Sequence, residues 1–124
     1  MYRGVVLYRK LEVWQDSMSL IKKVYKKAEQ LLKSEEYNLK SQLKRAITSV
    51  ALNIAEGKSR KSAKDFANFL SISSGSLAES SAILEICYEL EYINRDDALS
   101  NELLLLNKKI NSLRKHVLGV KTNV

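Results

Sequence analysis

Two groups of basic residues in this chain could bind the phosphates of a nucleic acid. One group lies in a predicted helix, and the other lies in a predicted loop that holds no acidic residue until its end. The eight candidates are Lys22, Lys23, Lys26 and Lys27 in the helix, and Lys58, Arg60, Lys61 and Lys64 in the loop. Lysine and arginine contact the sugar–phosphate backbone without reading base sequence. No base-reading helix or interleaved aromatic pattern accompanies them. The pattern predicts a low-specificity contact with RNA or DNA; a merely solvated basic surface is the alternative.

Side chains that carry catalysis are scarce. His116 is the single histidine and lies near a predicted helix end, where it suits the helix dipole. Cys87 falls in an apolar stripe with no basic neighbour in sequence, which is typical of an inert core thiol. Glu85, Glu89 and Glu91 lack the Glu-x-x-His pattern of metal-binding bundles, and no glycine-rich phosphate loop is present. We therefore expect no enzymatic activity, no metal site and no cofactor.

Length and composition indicate one helical domain over residues 1–124. Proline is absent and only 4 glycines occur, so long uninterrupted helices are favoured over a turn-rich β fold. No apolar run approaches the length of a membrane span, and residues 1–10 lack the features of a signal peptide. A single cysteine excludes an internal disulfide and fits a reducing compartment. We expect a cytoplasmic protein with no membrane partner.

Charge is distributed unevenly along the chain. The formal net charge is +7. It divides into +5 for residues 1–34, +3 for 35–65, −6 for 66–107 and +5 for 108–124. Surplus positive charge favours polyanionic partners through counterion release, although it also keeps a small protein soluble.

Apolar residues recur at steps of three and four and predict four helices, at about 11–33, 36–57, 63–92 and 96–118. Short connections between them predict an all-α fold, an antiparallel up-down-up-down four-helix bundle. In the first helix the predicted core stripe is Trp14, Met18, Ile21, Tyr25, Ala28 and Leu32. In the fourth it is Leu99, Leu103, Leu106, Ile110, Leu113 and Val117.

The third helix carries two adjacent stripes, so we expect it to contact partners on two sides. The first stripe is Phe66, Leu70, Ser73, Leu77, Ser80, Leu84 and Cys87. The second is Phe69, Ile72, Ser76, Glu79, Ile83, Ile86 and Leu90. Gly75 is costly inside a helix, which predicts close approach of another backbone. At the ends of this region we expect Gly57 to be a left-handed C-cap and Ser62 an N-cap.

A line of polar residues follows the second helix beside its apolar stripe. It comprises Gln42, Arg45, Ser49, Asn53 and Glu56. Antiparallel pairing with the third helix sets this line opposite Ser73, Ser76 and Glu79. We predict a structural polar cluster of these eight residues, including a buried Arg45–Glu79 pair whose disruption would cost about 3–5 kcal/mol. A solvated polar border is the alternative.

Three segments of the chain resemble a known bacterial family. They are Leu11-x-Val13-Trp14-Gln15, then Gln42-x-x-Arg45-Ala46-x-x-Ser49-x-x-x-Asn53-Ile54-Ala55-Glu56-Gly57, and Phe69-Leu70-x-Ile72-Ser73-x-Gly75-Ser76-x-x-Glu79. The family comprises four-helix-bundle proteins encoded in intervening sequences of 23S ribosomal RNA genes, and it is similar to the accessory variability proteins of diversity-generating retroelements. Many members carry proline before the second helix and between positions 49 and 53, whereas this chain has none.

The resemblance, which spans about residues 11–93, implies a bundle assembled as a cyclic homo-oligomer, a pentamer with a basic surface. Retroelement members bind RNA and a reverse transcriptase; nothing in the resemblance implies an enzyme.

Two classes of function follow. The first is a non-enzymatic oligomer that binds RNA or DNA backbone through its basic surfaces. The second is a structural assembly or adaptor protein that docks a protein partner without nucleic acid. An acidic third helix beside basic neighbours supports head-to-tail contacts between copies, the type that closes rings.

Overall fold

Four α-helices make up most of the computed structural model, which describes residues 7–31 and 38–119. The helices are α1 (Glu12–Ala28), α2 (Leu39–Lys58), α3 (Ala63–Glu89) and α4 (Asp97–Val117). A short 3-10 helix, Leu7–Lys10, precedes α1. The described residues contain no strand, so the all-α prediction is confirmed for them. The first helix ends at Ala28, before the predicted end at about 33, because residues 29–31 form a turn. Leu32 and the predicted start of the second helix lie outside the described residues.

Helices that are consecutive in the chain pack against each other, and α1 also packs against α4. The contact between α2 and α3 is the most extensive, and that between α1 and α4 is the smallest. Large aliphatic side chains from all four helices fill the interior. Those fully buried include Val24, Leu43, Ile47, Ile54, Leu70, Leu77, Leu84, Leu106 and Ile110. None of the described helices combines the length and apolar character that a membrane crossing requires.

The core stripe of α1 is rotated relative to the prediction. Its buried residues are Val13, Ser17, Leu20, Val24 and Ala28. Met18 is 37% exposed, and Trp14, Ile21 and Tyr25 are only half-buried at the edge of the core. The predicted stripe left out Ser17, a polar residue at the centre of the buried face. Its hydroxyl donates to the Trp14 carbonyl oxygen at 2.7 Å, so it needs no partner from solvent.

The stripes predicted for α3 and α4 agree better with the structure. All seven residues of the first α3 stripe are buried, as are Leu99, Leu103, Leu106 and Ile110 of α4. The second α3 stripe divides. Ile83 is buried and Phe69 and Ser76 are half-buried, whereas Ile72, Glu79, Ile86 and Leu90 are exposed. This chain alone therefore leaves part of the second stripe without a packing partner among the described residues.

Side-chain caps begin α3 and α4. The Ser62 hydroxyl accepts from the Asp65 amide at 3.0 Å, as predicted, and the Asp96 carboxylate accepts from the Leu99 amide at 3.0 Å. The prediction for Gly57 is wrong: α2 continues through it to Lys58, and its φ is not positive. The prediction for Gly75 is not met within this chain, because no described atom outside its own stretch of helix lies within 4 Å of the position its Cβ would occupy.

Candidate nucleic-acid interface

The basic block on α1 is partly neutralised by α4. The ammonium group of Lys23 lies 2.7 Å from a Glu102 carboxylate oxygen, and that of Lys27 lies 3.2 Å from Asp96. Lys22 and Lys26 are exposed and form no ion pair with a described residue. Two of the four lysines in this block are therefore already ion-paired within the protein. The sequence could not show this, because it depends on which helix faces α1.

The α2–α3 loop presents its basic residues differently. Arg60 pairs with Glu56, and its guanidinium lies 4.8 Å from the centroid of the Phe69 ring. The half-buried Lys58 places its ammonium group 5.7 Å from the Phe66 ring centroid. Lys61 and Lys64 are exposed and unpaired among the described residues. Aromatic faces thus position two cations without removing their charge.

A close contact at Gly57 fixes the corner from which this loop emerges. A Cβ at position 57 would lie 2.7 Å from the Phe69 Cβ and 2.9 Å from the Phe66 Cδ1. Only glycine lets α2 approach the first turns of α3 so closely. The Gly57 of the family-like segment is therefore required by packing between helices and not by a left-handed turn.

Four residues of the predicted polar cluster lie together between α2 and α3. The Ser76 hydroxyl lies 3.0 Å from the Ser49 hydroxyl. The Asn53 amide donates to the carbonyl and hydroxyl oxygens of Ser49 at 2.8 and 2.9 Å. The fully buried Ser73 donates to the Val50 carbonyl at 2.8 Å. These hydroxyl contacts join the two helices.

The other four residues do not join this network. Arg45 is exposed and donates to Ser41 on its own helix at 2.6 Å. Glu56 pairs with Arg60, and Gln42 and Glu79 are exposed. The prediction of a buried Arg45–Glu79 pair is wrong. Arg45 and Glu79 are both exposed, so neither side chain is enclosed between the two helices.

Ion pairs fasten α1 to its neighbours and shift several pKa values. Hydrogen bonds to Glu12 and then Asp16, at 2.8 and 2.9 Å, raise the pKa of Lys109 on α4 to about 12. Glu29, at the end of α1, has a lowered pKa because Lys44 and then Lys40 donate to it from α2. The Leu99 amide, followed by Lys27, lowers the pKa of Asp96. Ion pairs at the surface therefore add to the apolar contact between α1 and α4.

Comparison with known proteins identifies the family. A family model described as the 23S rRNA-intervening sequence protein matches residues 9–114. The chain belongs to this family. A solved structure from Bacteroides thetaiotaomicron VPI-5482, described as a protein with unknown function from the S23 ribosomal protein family, is similar, with a TM-score of 0.76 and 27% identity. The match covers 83% of this chain and 98% of that one. No curated protein matches the chain.

The two side chains with reactive groups singled out in the sequence lie outside the basic α2–α3 loop. Cys87 is fully buried, as its position in the stripe predicts, and His116 is exposed near the end of α4. Residues 7–31 and 38–119 contain no group of three or more histidine, cysteine or acidic side chains arranged to hold a metal ion. The described surface offers a ligand both exposed cations and exposed apolar side chains.

Proposed function

We propose that this family member is a non-enzymatic, oligomeric protein that binds the backbone of RNA or DNA through its basic surface. The observation that carries the proposal is a set of exposed cations with no carboxylate partner among the described residues: Lys22, Lys26, Lys61 and Lys64. A cation already paired with a carboxylate gains less from a phosphate than an unpaired one does. The formal net charge of +7 also favours binding to a polyanion.

The proposed scaffold is an antiparallel, up-down-up-down bundle. Contacts between successive helices support it, because they join the late part of one helix to the early part of the next. Glu29 pairs with Lys40 between α1 and α2, and Gly57 faces Phe66 between α2 and α3. Lys109 on α4 reaches Glu12 at the start of α1.

The proposed assembly is a cyclic homo-oligomer, and the family resemblance implies a pentamer. The exposed part of the second α3 stripe supports an interface. Ile72, Ile86 and Leu90 are 52%, 47% and 51% exposed on one side of the helix. A ring would also repeat each basic surface, which raises the effective affinity for a polyanion that spans several copies.

Fluorescence anisotropy with a labelled, structured RNA at rising salt tests the binding. We expect micromolar or tighter binding, with the logarithm of the association constant falling linearly as the logarithm of salt concentration rises. A duplex DNA of equal length should bind with a similar slope, because backbone contacts do not read base sequence. Absence of salt-dependent binding at micromolar protein would contradict the proposal.

The second candidate function is a structural assembly or adaptor protein that docks a protein partner, such as a reverse transcriptase, without nucleic acid. The exposed apolar side chains of α3 favour it, since an apolar strip suits a protein surface better than a phosphate backbone. A pull-down repeated after nuclease treatment separates the two. A partner that is retained supports docking, and one released by nuclease supports nucleic-acid binding.

A further inference from the structure

The described positive surplus lies at one end of the bundle. The start of α1, the end of α2, the start of α3 and the end of α4 share this end, as three contacts show. Lys109 on α4 bonds Glu12 and Asp16 on α1, Gly57 abuts Phe66, and Asn111 donates to Ser74 on α3. We call the half of the bundle on this side of the helix midpoints the loop end, because it includes the α2–α3 loop.

Charges divide sharply between the loop end and the opposite half. The loop end has ten basic and four acidic side chains among the described residues, a formal net charge of +6. The opposite half has eight of each and is formally neutral. The ten are Arg9, Lys10, Lys58, Arg60, Lys61, Lys64, Lys108, Lys109, Arg114 and Lys115; the four are Glu12, Asp16, Glu56 and Asp65.

The two halves of the bundle also differ in how many of their cations form ion pairs. At the loop end only Arg60 and Lys109 form ion pairs with described residues, which leaves eight cations unpaired. In the opposite half Lys23, Lys27, Lys40, Lys44 and Arg95 all pair with carboxylates. Three separate segments supply the unpaired cations of the loop end: the 3-10 helix, the α2–α3 loop and the last turns of α4.

We infer that the loop end, more than the lysine block of α1, is the surface that contacts the phosphates. Four helix ends at interaxial distances of about 8–10 Å form a surface roughly 20 Å across, enough to meet several phosphates at once. The inference rests on the proposed nucleic-acid binding and adds to it a location. It also adds five basic residues outside the eight that the sequence pattern predicts: Arg9, Lys10, Lys108, Arg114 and Lys115.

Two matched triple variants test the location. One carries Lys61→Gln, Lys64→Gln and Lys115→Gln at the loop end; the other carries Lys22→Gln, Lys26→Gln and Arg45→Gln in the opposite half. All six side chains are exposed, none forms an ion pair with a described residue, and each variant removes three charges. Circular dichroism and light scattering establish that both keep the helix content and mass of the wild type.

We expect the loop-end variant to bind labelled structured RNA at least about tenfold more weakly at about 0.1 M salt. Its log–log salt slope should fall by about 2, since each lost phosphate contact removes nearly one unit. The opposite variant should stay within about threefold of the wild type. At about 1.5 Å per residue the two substituted sets lie at least about 15 Å apart along the helix axes, more than the Debye length of about 10 Å at this salt.

The outcomes separate the inference from the proposed function. Wild-type binding that both variants weaken equally, or that the opposite variant weakens more, overturns the location and leaves the function standing. A wild type that does not bind overturns both. Polyglutamate at equal charge concentration is the competitor; if it displaces the labelled RNA as well as unlabelled RNA does, the assignment to nucleic acid is wrong.

Discussion

At the scale of single residues, two glycines inside helices have opposite surroundings. Gly57 has Phe66 and Phe69 against it, whereas no described atom outside the glycine's own stretch of helix lies within 4 Å of the point where an alanine methyl at Gly75 would lie. Gly57→Ala should destabilise the fold by about 1–3 kcal/mol, because a methyl there must push two phenylalanine side chains away. Gly75→Ala should stabilise it by about 0.5–1 kcal/mol through helix propensity alone. Chemical denaturation of both variants measures the difference.

These two variants control for each other, since both replace a helical glycine by alanine. Equal denaturation midpoints for Gly57→Ala and the wild type would show that the contact between α2 and α3 accommodates a methyl group at position 57. The close packing described for Gly57 would then be wrong.

Asp96 provides a residue-level prediction with a pH dependence. Its carboxylate caps α4, and the Leu99 amide and Lys27 hold its pKa below the ordinary 3.8. A group whose pKa is lowered by folding stabilises the fold above its unfolded value and loses that effect as the pH falls through the folded value. Asp96→Ala should therefore cost about 0.5–2 kcal/mol near neutral pH, and the cost should shrink below pH 3.8.

The neighbouring Asp97 is the matched control. It is exposed in the first turn of α4 and has no capping bond. Asp97→Ala should change stability by only a few tenths of a kcal/mol, through the helix dipole. Urea denaturation at several pH values compares the two, and equal costs would mean that the cap contributes nothing of its own.

At the scale of helices, α1 is held differently from α3. Ion pairs of α1 reach α4 through Lys23, Lys27 and Lys109, whereas buried serines and close packing join α3 to α2. Raising salt from about 0.1 to 1 M shortens the Debye length from about 10 to 3 Å and weakens exposed ion pairs. We expect amide exchange in α1 to accelerate more than in α3, as measured by mass spectrometry. Equal acceleration would show that these ion pairs add nothing to the apolar packing that holds α1.

Helices with unbroken apolar spacing could be predicted from the sequence, and their partners could not. The first stripe of α3 is confirmed residue by residue, because its serines are small enough to occupy core positions. The α1 stripe failed at Ser17, since periodicity cannot distinguish a buried hydroxyl that bonds its own helix from a solvated one. The Arg45–Glu79 pair failed because register places residues at the same level without stating whether their side chains face the partner helix, and both of these are exposed.

The sequence likewise could not show which basic residues of the candidate site are ion-paired or lie close together, because both depend on contacts between helices. Lysine spacing along α1 suggested four equivalent cations, yet α4 neutralises two of them. The basic residues of the 3-10 helix and of α4 are far from the α2–α3 loop in sequence and share an end with it only after folding. Their positive charge was visible as +5 over residues 108–124, but no local pattern connected it to the loop.

At the scale of the whole molecule, assembly should depend on the exposed stripe of α3. Ile72 and Ile86 are about half exposed two turns either side of Glu79, and an interface that buried them would exclude water from both. Ile72→Glu with Ile86→Glu places two carboxylates in that interface, and an unpaired buried charge costs several kcal/mol. We expect light scattering to give a multiple of 14.1 kDa for the wild type and 14.1 kDa for the double variant.

Leu105→Glu, at a position 54% exposed beside α1, is the control that should keep the wild-type mass. A monomeric wild type, or a double variant that still assembles, would assign the exposed stripe to another partner.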